Sequence, residues 1–265
     1  MFGSFFVAPE EIISVITVKA SAADVNDLIF AYDSKKQTYT LMGCSDSASG
    51  DIIIPATYNG KPVTVITSRA FEDKKNITSI VVPEGVKIIY DYAFRNCKDL
   101  VSVVIPDSVQ TIGREAFSDC KNLKNVKLPK NLKVIEPNMF WGCSSLVSLE
   151  FPAGLKKISV WSFAYCSSLE TVDFGQNNQL ENIGDYAFYG CEGLNSVDCY
   201  NLTSVTIGTG ITFIGDYAFA LGNHITKISY SGTKSQWDGV SKENYWDSNA
   251  GNYIIYCSDG KFGKN

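Results

Sequence analysis

Apolar side chains recur along this chain on a 23-residue beat, with more variable, mostly polar residues filling the intervals. Phe is followed three residues later by Cys at Phe94/Cys97, Phe117/Cys120, Phe140/Cys143, Phe163/Cys166 and Phe188/Cys191. Prolines 83, 106, 129 and 152 keep the same interval. Leu100, Leu123, Leu146 and Leu169 form a column with Ile77 before it and Leu194 after it. Phe71 opens the array with Lys74 where a Cys would stand, and Phe219 closes it with Gly222 at that place. A fixed period of this length is the signature of a solenoid, whose units cannot bury their apolar faces until they stack. The count gives about seven coils.

Within a unit, Leu100 to Ile105 alternates as a short strand and Pro106, which has no N–H, ends it. A second extended stretch runs from Val109 to Ile112, and Gly113 suggests a turn closed to residues with a Cβ. Glu115 to Cys120 reads as a short helical or 3₁₀ turn that must rely on packing. The expected architecture is therefore mainly β with short helical turns. Two intervals are longer: 25 residues from Phe163 to Phe188 and 31 from Phe188 to Phe219. The extra residues fall near Gly175 to Gln179 and at Asp198 to Asn201, where Leu194–Val197 and Leu202–Val205 both resemble strand starts. Insertions in repeat proteins map to loops.

Four segments follow. Residues 66–229 form the array, 25–65 an N-terminal cap and 230–265 a C-terminal cap. Leu28 to Tyr32 and Thr38 to Met42 predict a hairpin across Asp33 to Gln37, which can close the first edge. Trp237, Tyr245, Trp246 and Tyr253 would shield the last coil. Residues 1–24 read either as a degenerate export signal or as a plain strand or disordered leader. Ala20-Ser21-Ala22 resembles a signal-peptidase site, yet Glu10 and Glu11 interrupt the apolar stretch and no Lys or Arg precedes it. No apolar run reaches the roughly 18 residues that cross a bilayer.

The unit Ile-Pro-x-x-Val-x-x-Ile-Gly-x-x-Ala-Phe-x-x-Cys-x-x-Leu resembles the BspA-type leucine-rich repeat of bacterial surface proteins. Gly113-Arg114-Glu115-Ala116-Phe117 and Gly184-Asp185-Tyr186-Ala187-Phe188 are close matches. Residues 53–63 resemble the family's entry into the first repeat, and residues 230–237 a segment that often ends such arrays. The resemblance covers roughly residues 39–232 and implies a leucine-rich-repeat solenoid. It also implies an extracellular or cell-surface protein that binds host proteins, matrix or other cells.

Candidate chemistry adds little to this. Apolar residues make up 45% and charged residues 19%, with a formal charge of −5, which argues against a nucleic-acid partner. Five of the eight cysteines share one place in the coil and predict an inward column. Coils stacked about 4.8 Å apart hold parallel Cβ atoms beyond the roughly 3.8 Å of a disulfide, so these are packing thiols. Cys44, Cys199 and Cys257 lie outside the column, unpaired by sequence alone. No C-x-x-C zinc motif, glycine-rich phosphate loop or cofactor signature occurs, and His224, the one histidine, sits on a turn without a nucleophile motif. The expectation is a non-enzymatic protein without metal or cofactor.

Two surfaces stand out. Lys121, Lys124, Lys127, Lys130 and Lys133 recur every three residues, and Lys124, Asn125 and Lys127 should point out of a strand. The strand face then runs from neutral (Val101, Ser102, Val104) through basic to acidic: Glu150, then Glu170, Thr171 and Asp173, then Asn195, Ser196 and Asp198. Such a field orients a charged protein partner, with Lys124 and Lys127 central. Trp141, Trp161 and Tyr165 flank the Phe positions and form an alternative carbohydrate site, or pack between turns. A structural spacer is the third reading.

Overall fold

Two apolar stripes per coil become two parallel ladders. The computed structural model describes residues 27–175, 179–191 and 202–264. The Leu-x-x-Val-x-Ile stretches supply the first ladder: Gly50–Ile53, Ile77–Val81, Ser102–Val104 and Asn125–Lys127, resuming as Thr171–Asp173, Ser204–Ile207, Lys227–Tyr230 and Ile254–Cys257. The second contains Lys61–Ile66, Ile88–Ile89 and Thr111–Ile112, and resumes as Val134–Ile135, Lys157–Ile158, Asn182–Ile183, Phe213–Ile214 and Ser241–Lys242. Neighbours within each ladder pair in parallel, so Val103 lies beside Val126, Ile89 beside Ile112 and Ile183 beside Ile214. The array is a mainly β solenoid of about eight turns, with almost no helix among the described residues. The turn beyond the Phe count comes from the parallel strands Ser241–Lys242 and Ile254–Cys257.

The ends are finished by antiparallel pairs. Leu28–Asp33 and Thr38–Cys44 form the expected hairpin, and its second strand pairs in parallel with Lys61–Ile66. At the far end Gly260–Gly263 folds back on Ile254–Cys257. The five-residue helix Lys234–Asp238 is held by a capping box between Thr233 and Gln236 and carries Trp237 into the core. Tyr253 is buried and Trp246 packs against the core, whereas Tyr245 is exposed.

The segment expected to be helical is not. Residues two before and two after each core Phe have left-handed backbone, as at Glu115 (φ 54°) and Asp119 (φ 59°) around Phe117. The same holds at Tyr92 and Asn96, and at Trp161 and Tyr165. A left-handed non-glycine residue costs about 1–2 kcal/mol, and the hydrogen bonds show what offsets it. The N–H groups of Glu115, Phe117 and Asp119 donate to the carbonyls of Pro137, Met139 and Trp141 on the next coil, at 3.0, 2.9 and 2.7 Å. Ser118 and Cys120 bond back within the coil to Glu115 and Phe117. Alternate N–H groups thus point along the solenoid axis, which no helix permits. Gly113 also has a different role from the expected one: its φ is not left-handed. A Cβ there would stand 2.5 Å from the backbone nitrogen of Asp91, so glycine serves close approach between coils.

Inside, Phe71, Phe94, Phe117, Phe140, Phe163, Phe188 and Phe219 form one unbroken stack, all buried. Their ring centroids are 5.1–5.4 Å apart and planes within 16° of parallel. The five repeated cysteines are free and buried, and each Sγ donates to the Phe carbonyl one coil back, from 3.0 Å (Cys97 to Phe71) to 3.3 Å (Cys191 to Phe163). At the first coil Lys74 instead reaches out to Asp46. The two long intervals leave the stack intact. Thr171 pairs with Ser204, which brings Leu202, not Leu194, into register after Leu169. Residues 1–24, Gln176 to Asn178, Leu194 to Asn201 and Cys199 lie outside the described residues.

Phe117→Ala is expected to cost about 3–5 kcal/mol, measured by urea unfolding, because neither neighbouring ring can close the gap. Burial pushes Cys97 and Cys191 up to about 12 and Cys120, Cys143 and Cys166 well above the ordinary 9.0. Unfolded thiols ionise near the ordinary value, so this stability is whole below pH 9.0 and is lost as pH rises toward 12. Urea midpoints should fall across that window, with a shallower fall in Cys143→Ala.

Candidate binding surfaces

Register fixes the columns on the strand face. Val81, Val104 and Lys127 lie side by side, as do Ser79, Ser102 and Asn125. Farther on, Asp173, Thr206 and Ser229 form a row. Lys124, Asn125, Lys127, Glu170, Thr171 and Asp173 are exposed. Val101 is 38% exposed, Val147 41%, and Val104 is half-buried. The face thus begins apolar, with Ile53 at 57% exposure, and turns basic at Lys124 and Lys127 and then acidic.

Two details differ from expectation. Glu150 is exposed but belongs to no strand, because the first ladder is interrupted between Asn125–Lys127 and Thr171–Asp173. Phe151 takes the place that Ile105 and Leu128 hold elsewhere, and this larger ring stands half-buried against Phe163 and Phe174, 5.7 and 4.7 Å away. The row after Asp173 is occupied by Thr203, Ser204 and Thr206, while Asn195, Ser196 and Asp198 lie outside the described residues.

The turn side carries a longer aromatic surface than Trp141, Trp161 and Tyr165. Trp141 meets Tyr165 edge to face at 5.7 Å, and Tyr189 joins Tyr165 (5.7 Å) to Trp161 (5.6 Å). Trp161 itself lies flat on Tyr186, 4.1 Å away and 2° from parallel. Tyr186 stacks on Tyr217 at 5.0 Å, and Tyr217 on Tyr245 at 5.3 Å. These stacked residues share one place in the coil, two before the core Phe or its equivalent, so the repeat carries a signal for Tyr186 and Tyr217, which sequence reading does not single out, and for Tyr245, which it assigns to the C-terminal cap. Ring stacks satisfy the preference for offset face contact. They also cover the faces on which a sugar would lie.

The same column begins differently. Arg69, Arg95 and Arg114, the chain's three arginines, converge on the ring of Tyr92 at 4.6, 5.5 and 5.6 Å. Glu72 binds Arg69 at 2.9 Å and approaches Arg95 at 3.7 Å; Glu115 approaches Arg95 at 3.5 Å, and Asp91 binds Arg114 at 3.1 Å. The guanidinium side chains are 41–57% exposed, whereas Glu72 and Glu115 are 17% and 24% exposed and lie beneath them. Solvent therefore meets cations here, backed by carboxylates that hold them still.

Described thiols offer little nucleophilic chemistry, since burial raises every one, Cys44 to about 11. No group of three or more His, Cys, Asp or Glu among the described residues could hold a metal ion. His224 is half-buried in a turn. No helix among the described residues is long and apolar enough to cross a membrane.

The family described as BspA type leucine rich repeat region matches residues 64–195 and 197–239, in six copies. Among solved structures, a T. pallidum leucine rich repeat protein (TpLRR) is similar over 79% of this chain and 86% of its own, with 23% identity and a TM-score of 0.54. A leucine rich cell surface protein from Faecalibacterium prausnitzii A2-165 covers 90% of this chain and 76% of its own, with 20% identity and a TM-score of 0.53. At these identities the likeness is one of fold. No curated protein sequence matches the chain.

Proposed function

We propose, for a chain that belongs to the BspA-type leucine-rich-repeat family, that its role is non-enzymatic recognition of another protein through the parallel-strand face. The observation that carries this reading is the lateral register that sets exposed Val101 and half-buried Val104 beside Lys124, Asn125 and Lys127, with Glu150, Glu170 and Asp173 beyond. A rigid, preformed sheet loses little side-chain or loop freedom on binding. An apolar start followed by a basic and then an acidic band selects a partner of opposite charge order and sets its direction along the axis. The setting proposed is extracellular or at the cell surface, as an adhesion module for host or matrix protein. Support comes from the family's association with bacterial surface proteins and from the F. prausnitzii relative's description as a cell surface protein.

Carbohydrate binding at Trp141, Trp161 and Tyr165 is the weaker reading, because Trp161 spends one face on Tyr186. Immobilised chain should capture matrix or host-cell protein, and Lys124→Glu with Lys127→Glu should weaken that capture about tenfold or more. Raising salt should weaken it as well, since these charges are exposed. Capture that survives both changes would remove the strand face from the proposal. Salt-insensitive binding lost in Trp161→Ala would favour sugar, and no specific capture would favour a spacer.

A further inference from the structure

Charges on the strand face are arranged about a midpoint. One column of that face takes a residue from each coil, four after the leucine position: Lys127 after Leu123, Glu150 after Leu146 and Asp173 after Leu169. Glu150 stands in the middle of this column. Three places ending at Lys127 separate it from Ile53, and three beginning at Asp173 separate it from Tyr256. Backbone bonds join the Glu150 coil to both neighbours: Ser145 N–H donates to the Lys121 carbonyl and Glu170 N–H to the Val147 carbonyl, each at 3.1 Å.

The sign of the charge inverts across that midpoint. One coil before it Lys124 and Lys127 are exposed, and one coil after it Glu170 and Asp173 are exposed at the same two places of the repeat. None of these four side chains forms an ion pair among the described residues. Exposed apolar side chains mark the midpoint, with Val147 at 41%, and both ends, with Ile53 at 57% and Tyr256 at 39%.

We propose that a second copy of this chain docks on the strand face, turned end for end about a two-fold axis that runs parallel to the strands over the Glu150 coil. This rests on the reading of that face as a protein-binding surface and names a partner for it. Such a rotation keeps the strand direction and reverses the order of the coils. Lys124 then meets Glu170 of the second copy and Lys127 meets its Asp173, and each pair forms twice because a two-fold interface is self-complementary. Facing sheets lie about 10 Å apart, a gap that long side chains reaching from both sides close. Val147 meets its own counterpart at the axis, and Ile53 meets Tyr256. A two-fold along the solenoid axis would instead set lysine against lysine, and like charges across an interface are costly. Each coil offers about three outward residues, so the contact is small and the dimer weak. Glu150 also meets itself, an unfavourable contact that only this symmetry creates.

Sedimentation velocity on the full chain, over a concentration series at low salt, should show a monomer–dimer equilibrium that added salt shifts toward monomer. Lys124→Glu with Lys127→Glu should weaken the dimer at least about tenfold, and Glu170→Lys with Asp173→Lys should do the same. All four changes in one chain put opposite charges across the axis again and should restore the dimer. Glu150→Gln should tighten it. The side chains concerned are exposed, so the variants should fold as wild type does. A chain that stays monomeric up to about 1 mM, a four-change variant no better than either double variant, or a weaker dimer in Glu150→Gln would overturn the proposal. The four-change variant should not regain capture of matrix or host-cell protein, whose own charges are unaltered. Absent self-association with capture through Lys124 and Lys127 retained therefore sinks this inference alone, and absence of both sinks the strand-face reading with it.

Discussion

The array depends on where the turn sends its backbone hydrogen bonds. From the Phe71 coil to the Phe188 coil, the N–H groups at the core Phe and two residues to either side donate to carbonyls of the next coil. A lone turn of this shape would carry the strain of two left-handed residues and leave buried donors unmet. Stacked, it gains three axial hydrogen bonds, a Phe ring contact and a thiol-to-carbonyl contact at once. Cooperation between neighbours is therefore built into the turn of the repeat as well as into its strands.

That account explains what could be read from sequence and what could not. Side chains declare their burial by periodicity, so the Phe, Cys, Leu and Val columns and the hairpin at Leu28–Asp33 and Thr38–Cys44 were visible in advance. Backbone direction declares itself poorly. Glu115, Trp161 and Tyr186 have no common chemistry, yet all take a left-handed φ because the next coil's carbonyls demand it. Helical turns were the natural expectation for Glu115 to Cys120, since tertiary hydrogen bonds cannot be seen in a local propensity. The competing strand starts at 194 and 202 were likewise indistinguishable until pairing of Thr171 with Ser204 chose one. On the surface, Lys124 and Lys127 were legible as outward charges, whereas the convergence of three arginines from three coils on Tyr92 was not.

Two sides of the solenoid divide the surface chemistry between them. The strand side offers rows one residue wide, graded in charge from coil to coil, suited to a broad contact of many small contributions. The turn side offers planar groups in a single file: guanidiniums over a tyrosine at one end, stacked aromatic rings beside carboxylates without a described ion pair at the other. Tyr, Trp and Arg are the residue types that dominate the energetic centres of protein interfaces, and here Arg69, Tyr92, Trp161, Tyr186 and Tyr217 share one position of the repeat. Both sides rest on the same core, so neither needs to deform for the other to be used.

The unbroken ring stack across the two long intervals has a consequence for how such a chain can change over generations. Phe163, Phe188 and Phe219 remain 5.1 and 5.2 Å apart although 25 and 31 residues separate them. Length added between these rings therefore leaves the pitch of the stack unaltered. Each coil behaves as a cassette whose exterior can be rewritten, lengthened or recharged independently, provided its aromatic and its axial amides stay in place. New specificities on this scaffold can arise by editing loops and outward letters one coil at a time, with the frame inherited whole.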